Sequence, residues 1–292
     1  MSRDVTWTVS GGGVLGPAPF FIVGICNVTP DSFYDGGRYS ETGEAVAHGL
    51  HMQAQGADII DVGGESTRPF ATPVDQEEES GRVLPVVRGL LAARDDLVIS
   101  VDTYRAETAR QCLQAGARIV NDISACRYDP GLVDVLVQYR PGYVLMHSLD
   151  RPQHMQRDPR YKDVVSEVLG FFDRHLAALT RAGLPEENIV LDPGIGFGKN
   201  LQHNLSLLAG IQVFQSLGRP LYVGLSNKSL WDKLLGLAAH ERVTATQVAT
   251  ALMAERGVCI HRVHEVGLTR QTLAITRALH QGLAPAKEAG RE

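Results

Sequence analysis

The chain has 292 residues, of which 44% are hydrophobic and 21% charged, with a formal net charge of −5. This composition describes one globular domain with a large core, and the acidic balance gives no indication of nucleic-acid binding. No run approaches the roughly 20 apolar residues that a membrane helix requires, and residues 1–8 contain no signal-peptide core, so the sequence predicts a cytoplasmic protein without membrane segments.

The N-terminal segment alternates Thr, Val and Trp between Asp4 and Val14, with a break at Gly11–Gly13, and this pattern predicts a small β-hairpin. Eight short runs rich in β-branched residues follow, and each predicts a strand. They are Phe20–Cys26, Asp58–Val62, Leu97–Val101, Arg118–Val120, Tyr143–Met146, Asn188–Leu191, Pro220–Leu225 and Cys259–Val263. Nearly every run stops at a polar or charged residue.

Between these runs lie longer segments whose apolar residues recur at spacings near 3.6, which predicts helices. They are Gly43–Gln55, Val74–Ala93, Arg105–Ala115, Asp129–Tyr139, Tyr161–Ala182, Asn200–Ser216, Ser229–Leu237 with Thr244–Arg256, and Leu268–Leu283. Strands and helices that alternate in units of roughly 30–40 residues favour an α/β protein of the (β/α)₈ TIM-barrel class, with a doubly wound open sheet as the alternative. We therefore predict a hairpin and lead-in over 1–18, closing the N-terminal end of a barrel over 19–283, and a frayed tail over 284–292.

Two loops that leave predicted strand ends, Asn27–Ser40 and Gly63–Pro73, are long and rich in Gly, Pro, Ser and Thr. Because the active site of a barrel lies at the carboxyl ends of its strands, we expect these loops to be mobile covers over that mouth. The acids Glu77–Glu79 are expected to form a solvated helix start. Four separated cysteines lack metal-ligand spacing and predict reduced thiols. They are Cys26, Cys112, Cys126 and Cys259.

The segment Ile189–Asn200, IVLDPGIGFGKN, carries the most specific pattern in the chain. Asp192 ends a predicted strand, and the three glycines that follow let the backbone approach a ligand. Asp102 and Asn121 end other strands in the same way, and with Lys228 they would bring two carboxylates, an amide and an ammonium to one mouth. Such a set can bind a flat heterocycle with adjacent donors and acceptors, although each residue alone could equally form a structural hydrogen bond at its strand end.

A second set of residues is cationic or carries amide and hydroxyl donors, which predicts a phosphate or pyrophosphate site. It consists of Asn27, Thr67, Arg68, Arg262 and His264. Arg262 and His264 are two apart on a predicted strand and should leave it on the same face. The alternative is an ion pair at the barrel rim, with Glu65 or Glu265 as the acid. Asn27 could also bind an octahedral Mg²⁺ that keeps most of its waters and bridges phosphates.

Eight motifs together resemble the dihydropteroate synthases, the sulfonamide targets of folate synthesis. They are NVTPDSFYDGG at 27–37, GADIIDVGGESTRP at 56–69, ISVDT at 99–103, NDIS at 121–124, LMH at 145–147, LDPGIGFGKN at 191–200, SNKS at 226–229 and RVHEV at 262–266. They follow the family's order from about Gly24 to Val266, so the resemblance covers most of the predicted barrel.

The resemblance implies a (β/α)₈ barrel, often a homodimer, that joins 6-hydroxymethyl-7,8-dihydropterin pyrophosphate to p-aminobenzoate and releases pyrophosphate with the help of Mg²⁺. It assigns the pterin to Asp102, Asn121, Met146, Asp192, Phe197 and Lys228. It assigns Mg²⁺ and the phosphates to Asn27, Thr67, Arg68, Arg262 and His264. It places p-aminobenzoate beside Phe33, Thr67, Pro69, Lys228 and Ser229. Catalysis would rest on Asp102, Asp192, Lys228, Arg262 and His264, without a protein nucleophile.

Three positions depart from the family pattern. Asn227 stands where an arginine usually precedes the lysine, Glu265 stands where aspartate is common, and Ser148–Leu149 replaces a frequent Met-Gln pair. Two alternatives therefore stay open: a non-catalytic pterin-binding paralogue, and a methyltetrahydrofolate-binding methyltransferase that shares the barrel. On the seventh barrel strand Ser226 and Lys228 share one face, so Asn227 should point to the other face and lie at the pocket rim.

Overall fold

The computed structural model describes residues 4–29, 38–67 and 71–282, and the predicted tail over 284–292 lies outside these ranges. The first element is an antiparallel hairpin of β1 (Val5–Val9) and β2 (Gly13–Ala18). Its turn contains Gly11 and Gly12, whose φ angles of 75° and 72° lie in the left-handed region that glycine adopts without strain. The hairpin predicted from the Thr/Val/Trp alternation is confirmed.

Eight parallel strands form the centre of the molecule. They are β3 (Phe21–Asn27), β4 (Ile59–Gly63), β5 (Ile99–Asp102), β6 (Ile119–Asp122), β7 (Gly142–Met146), β8 (Ile189–Asp192), β9 (Tyr222–Gly224) and β10 (Ile260–Val263). Their order in the sheet is β8-β7-β6-β5-β4-β3-β10-β9. The two ends of this order meet through a parallel bridge between Leu191 and Leu221, where the N–H of Leu191 donates to the carbonyl of Pro220 at 2.9 Å. The predicted (β/α)₈ barrel is confirmed, and the open-sheet alternative is wrong.

Helices connect the strands and surround the barrel. They are α1 (Arg38–Ala54), α2 (Gln76–Ala93), α3 (Ala106–Gln114), α4 (Leu132–Tyr139), α5 (Val164–Ala182), α6 (Leu201–Ala209), α7 (Leu230–Leu235), α8 (Val243–Glu255) and α9 (Val266–Gln281). The predicted helices agree with these bounds to within a few residues, with one exception. The segment predicted as a single helix over Asn200–Ser216 is α6 followed by a 3₁₀ helix at Ile211–Leu217, because Gly210, a poor helix former, separates the two.

Local chemistry fixes several helix ends. The carboxylate of Asp75 accepts from the N–H of Glu78 at 2.8 Å and caps the start of α2. Asn200 caps α6 by accepting from the N–H of His203 at 2.8 Å. Gly183 ends α5 with a φ of 112°, a conformation that other residues adopt only with strain. These caps set where each connection turns back toward the barrel.

The core has an inner layer within the barrel and an outer layer between strands and helices. Alternate residues of a strand point to opposite faces, so Ile59 lies in the inner layer while Ile60 packs against the helices. Trp7 of the hairpin joins the inner layer and donates from Nε1 to the carbonyl of Asn188, just before β8, at 2.7 Å. The hairpin therefore covers the N-terminal end of the barrel, as predicted, and the carboxyl ends of the strands form the opposite mouth.

Candidate active site

The residues predicted to carry chemistry lie where the barrel strands end. Asp102 and Asp192 are the last residues of β5 and β8, and Asn121 is the third residue of β6. Parallel pairing sets Asp102 directly beside Asn121. All three side chains are buried. Parallel register therefore brings together residues that are far apart in the sequence.

Arg262 of β10 reaches across the mouth to two carboxylates. Its Nε lies 2.7 Å from Oδ2 of Asp61, and its Nη2 lies 2.6 Å from Oδ2 of Asp102. The same Oδ2 of Asp61 accepts a hydrogen bond from Nδ2 of Asn121 at 3.0 Å. Arg262, which the sequence placed in the phosphate set, thus lies in direct contact with the residues of the predicted heterocycle pocket.

Burial and charge act in opposite directions on this group. Burial raises the pKa of Asp102 to about 7, and the neighbouring Arg262 opposes that rise. Burial disfavours the guanidinium of Arg262, but Asp61 and Asp102 together raise its pKa above the ordinary value. Arg262 therefore stays cationic, and it favours the charged form of the acids beside it.

Asp192 and Lys228 organise the adjacent part of the mouth. Oδ1 of Asp192 accepts from the N–H of Gly194 at 2.8 Å, and burial raises the pKa of this carboxyl while that hydrogen bond opposes the rise. Nζ of Lys228 donates to the carbonyl of Ile195 at 2.6 Å and lies 4.6 Å from the centre of the Phe197 ring. Burial lowers the pKa of Lys228 to about 8. An acid, an amine and an aromatic face thus meet at the short loop after β8, which Lys228 reaches from its position after β9.

Apolar side chains line one wall near these groups. Met146, the last residue of β7, forms a small cluster with Tyr104 and Ile123, and Phe197 and Tyr128 pack against it. Met146 and Phe197, predicted together as pocket walls, therefore belong to the same apolar wall. The cluster is separate from the inner and outer cores, so it provides an apolar surface at the mouth.

The remaining predicted residues are less closely joined. His264 follows β10, and its Nδ1 lies 2.9 Å from Oγ of Ser226. Asn27 ends β3, Thr67 is partly exposed, and Ser229 is exposed at the start of α7. Phe33, Arg68 and Pro69 lie outside the described residues, and the expected mobility of their loops stays a prediction.

Two expectations about charged groups are corrected. An ion pair with Arg262 does form, but its acids are Asp61 and Asp102, not Glu65 or Glu265. Glu65 pairs instead with Arg105 at 2.7 Å.

The acidic helix start is not wholly solvated, because Glu79 is only 1% exposed. Its carboxylate lies 3.0 Å from Arg105 and accepts from Oγ1 of Thr103 at 2.9 Å. Glu65, the other partner of Arg105, accepts from the N–H of Val74 at 3.2 Å. This buried network ties together the two sides of the second loop, which is why one acid of the run turns inward.

Sequence reasoning missed Asp61 and Lys199. Asp61 is fully buried in β4 and contacts both Asn121 and Arg262. The available signal was a carboxylate inside the apolar run DIIDVG, where an ionised group needs a partner. Lys199 follows the glycine-rich segment and is buried, and no local sequence pattern predicts this burial.

Asn227 does not lie on a strand, so the alternation argument for its side chain is wrong. β9 ends at Gly224, and Asn227 adopts a left-handed conformation with φ of 55°. Its N–H donates to Oγ1 of Thr246 at 3.3 Å, and its carbonyl accepts from Nη1 of Arg242 at 3.1 Å. These contacts hold the turn against the start of α8.

The left-handed turn gives a stability prediction. Asparagine tolerates this conformation better than most residues, and a side chain without a local polar group costs roughly 1–2 kcal/mol there. Asn227→Ala should therefore unfold at a lower urea concentration than Asn227→Gly. The comparison controls for loss of the amide, because both variants lack it. Equal stability, or a less stable glycine variant, would contradict the backbone account.

Within the described ranges, no helix is long and apolar enough to cross a membrane. Among the same residues, no three His, Cys, Asp or Glu side chains come together as metal ligands.

Comparison with known proteins assigns the family. The family described as pterin binding enzyme matches residues 23–264. The dihydropteroate synthase of Escherichia coli (strain K12) is 43% identical over 257 residues, covering 88% of this chain and 90% of that protein. The dihydropteroate synthase of Mycobacterium leprae (strain TN) is 42% identical over 276 residues, covering 91% and 95%.

Solved structures agree in fold. A Xanthomonas albilineans dihydropteroate synthase with 4-aminobenzoic acid has a TM-score of 0.88 at 40% identity, covering 96% of this chain and 99% of that one. A second structure from that organism, in complex with 7,8-dihydropteroate, has a TM-score of 0.85 at 38% identity, covering 94% and 99%. The chain therefore belongs to the pterin-binding enzyme family and, within it, to the dihydropteroate synthases, which are transferases of folate biosynthesis.

Proposed function

We propose that this protein condenses 6-hydroxymethyl-7,8-dihydropterin pyrophosphate with p-aminobenzoate, giving 7,8-dihydropteroate and pyrophosphate. The observation that carries the proposal is the buried group of Asp61, Asp102, Asn121 and Arg262 at the barrel mouth. It combines acceptors for a pterin edge with a cation for phosphates. The bound 4-aminobenzoic acid and 7,8-dihydropteroate of the Xanthomonas albilineans structures support the choice of substrates.

The pterin would lie over the acids and the amide. The amino group and ring N–H groups of the pterin are donors, which suit the carboxylates of Asp102 and Asp192, and Asn121 can both donate and accept. Lys228 would add a donor for the pterin carbonyl. The flat faces of the pterin fit the apolar wall to which Met146 and Phe197 both belong, which supports this assignment.

The pyrophosphate would meet the cationic side. Arg262 of β10 can donate through a planar fork to phosphate oxygens, and His264 follows two residues later, just after the strand. Thr67 would add a hydroxyl donor, and Arg68, outside the described residues, would add a second guanidinium. Because Arg262 already contacts Asp102, the pterin and phosphate ends of the pocket would share one residue.

Asn27 would hold Mg²⁺. It offers one amide oxygen at the end of β3, and Mg²⁺ commonly binds through one or two protein oxygens with phosphates and waters as its other ligands. When bound, the ion would neutralise charge on the pyrophosphate. The donor chemistry of this strand end therefore fits the ion that the family implies.

p-Aminobenzoate would bind toward the rim. Ser229 is exposed and can donate to its carboxylate, and the stem of Lys228 can border its ring. Thr67 would lie beside it, with Phe33 and Pro69 from the two loops. This site would be completed only by residues that belong to the loops over the mouth.

Electrostatics would drive the chemistry. The bond between the pterin methylene carbon and the pyrophosphate oxygen breaks, and its electron pair leaves with the pyrophosphate. Asp102 and Asp192 favour the positive charge that develops on the pterin, while Arg262 and His264 stabilise the departing anion. The arylamine nitrogen then bonds to the methylene carbon and releases a proton to solvent. No protein nucleophile is needed.

The test is pyrophosphate release by the purified protein. We expect sustained release over many turnovers to require both substrates and Mg²⁺, to stop with a chelator and to return when Mg²⁺ is restored. Lys228→Ala should be nearly inactive, whereas Lys233→Ala, which removes an exposed lysine of α7, should match the wild type. Absence of release with both substrates present would contradict the proposal and favour a non-catalytic pterin-binding paralogue.

We also propose a cellular compartment for the enzyme. All four cysteines are free and buried, which supports a reducing compartment such as the cytoplasm.

We propose that the chain is divided into a lead-in over 1–18, a barrel over 19–283 and a tail over 284–292. The barrel strands begin at Phe21 and the last described helix ends at Gln281, which supports these bounds.

We also infer a homodimer from an apolar surface on α8 and α9, which pack against each other. Val248 and Leu252 of α8 are exposed by 56% and 54%, and Ile275 and Leu279 of α9 by 59% and 79%. Apolar side chains grouped at a protein surface commonly mark an interface. A second copy of the chain, presenting the same surface, would cover them.

A charge placed on this surface tests the dimer. The wild type should have the mass of two chains in light scattering, and the double variant Leu252→Glu with Leu279→Glu should have the mass of one. Val14→Glu is the control, because Val14 is 58% exposed on the hairpin rather than on the helices. A monomeric wild type, or a double variant that stays dimeric, would contradict the inference.

A further inference from the structure

Lys199 is a buried lysine whose amine binds backbone rather than acid. It is 1% exposed, and within the described part of the chain it forms no ion pair. Its Nζ lies 2.9 Å from the carbonyl oxygens of both Gly194 and Phe197, and 3.2 Å from that of His147. Burying an amine is costly, so its position needs an explanation.

The fourth partner of this amine is the ring of His147. Nζ of Lys199 lies 2.9 Å from Nδ1 of His147. Burial and the nearby Lys199 lower the pKa of His147 to about 2, so the ring is neutral. The ring packs edge-on against Phe171, with centroids 4.8 Å apart. His147 therefore holds a fixed position beside the amine, just after β7.

The amine belongs to a wider set of contacts that holds residues 194–198. This segment turns through three glycines in the left-handed region, Gly194, Gly196 and Gly198. All five of its carbonyls accept a side-chain hydrogen bond. The donors are Lys199 for 194 and 197, Lys228 for 195, Gln156 for 196 and Tyr161 for 198. Lys199 is thus the donor that binds two of the five.

We propose that Lys199 is a positioning residue for the pterin end of the pocket, an inference that rests on the proposed function. By holding the carbonyls of Gly194 and Phe197, it fixes residue 194, whose own N–H donates to Oδ1 of Asp192 at 2.8 Å, and residue 197, whose ring forms the apolar wall. Lys228 binds the same loop at the carbonyl between those two residues, at 2.6 Å. Two lysines, one from the interior and one from the mouth, set the loop's position.

An apolar side chain at position 199 could not replace the lysine as a donor to the loop carbonyls. Without Lys199, the carbonyl of Phe197 would lose its side-chain donor, and that of Gly194 would keep only the N–H of Phe197 at 3.0 Å. A buried carbonyl without a partner is unstable, so the loop would move to find one. Asp192 and Phe197 would move with it, although neither is touched by the substitution itself.

The experiment measures binding of 6-hydroxymethylpterin, which lacks phosphates, by calorimetry. Lys199→Met roughly keeps the length of the side chain and removes its donors, so pterin should bind about tenfold more weakly or worse, the scale of a buried carbonyl left without a partner. Lys199→Gln keeps an N–H donor and should recover part of the affinity. Lys233→Met, on the surface of α7, should bind as the wild type does.

A variant that is destabilised elsewhere distinguishes a loss of loop positioning from a general loss of stability. Phe214→Leu removes volume from the outer core and should lower the melting temperature without changing pterin affinity at 25 °C. Wild-type affinity in Lys199→Met, or an equal loss in Phe214→Leu, would overturn the inference. If Lys199→Met does not fold, Lys199→Gln is judged against wild type by the same criterion. A wild type that binds pterin but releases no pyrophosphate would overturn the proposed function and leave this inference standing.

Discussion

The contact of Arg262 with two carboxylates inside the barrel sets the geometry of the whole mouth. Asp61 and Asp102 stand on neighbouring strands, and Asp61 also holds Asn121, so one guanidinium joins side chains from four strands. A buried ion pair adds little net stability, yet removing one partner leaves an uncompensated charge that costs roughly 3–5 kcal/mol. The arrangement therefore fixes positions more than it stabilises the fold.

This contact gives a physical account of how the site could respond to its substrate. Asp102 pairs with Arg262. In the proposed complex a pterin would bring donors to Asp102 and its pyrophosphate would bring acceptors to Arg262, so both members of the ion pair would gain a partner at once. Burial raises the pKa of Asp102 and lowers that of Lys228, while Arg262 opposes the first shift and Asp192 opposes the second. A ligand of complementary charge would further favour the ionised forms, which would link binding to the electrostatics of catalysis.

Much of this could be predicted from sequence because barrels follow local rules. Alternating strands and helices defined the fold, and short polar side chains at strand ends identified Asp102, Asn121 and Asp192. Features that depend on contacts between residues far apart in the sequence were not predicted. Asp61 and Arg262 are separated by 201 positions, and no local pattern pairs them.

The same dependence on distant contacts explains the other features that the sequence did not predict correctly. Glu79 was expected in solvent because its neighbours in sequence are acidic, but it pairs in the interior with Arg105, which lies just before α3. Asn227 was placed on strand seven between Ser226 and Lys228, whereas β9 stops at Gly224 and a left-handed turn follows. No local pattern predicts the burial of Lys199, because it depends on carbonyl groups that only the folded loop brings to its amine.

We propose that Arg262 pairs with Asp61 and Asp102 and, in the substrate complex, also binds the phosphates. The direct measurement is the ratio of calorimetric affinities for pterin pyrophosphate and for the pterin without phosphates, in wild type and in Arg262→Met. Adding Asp61→Asn to Arg262→Met restores the local charge and controls for the uncompensated acid. The account predicts that both variants lose about tenfold or more of the advantage given by pyrophosphate, the scale of a charge-assisted hydrogen bond. A ratio unchanged from wild type would contradict it.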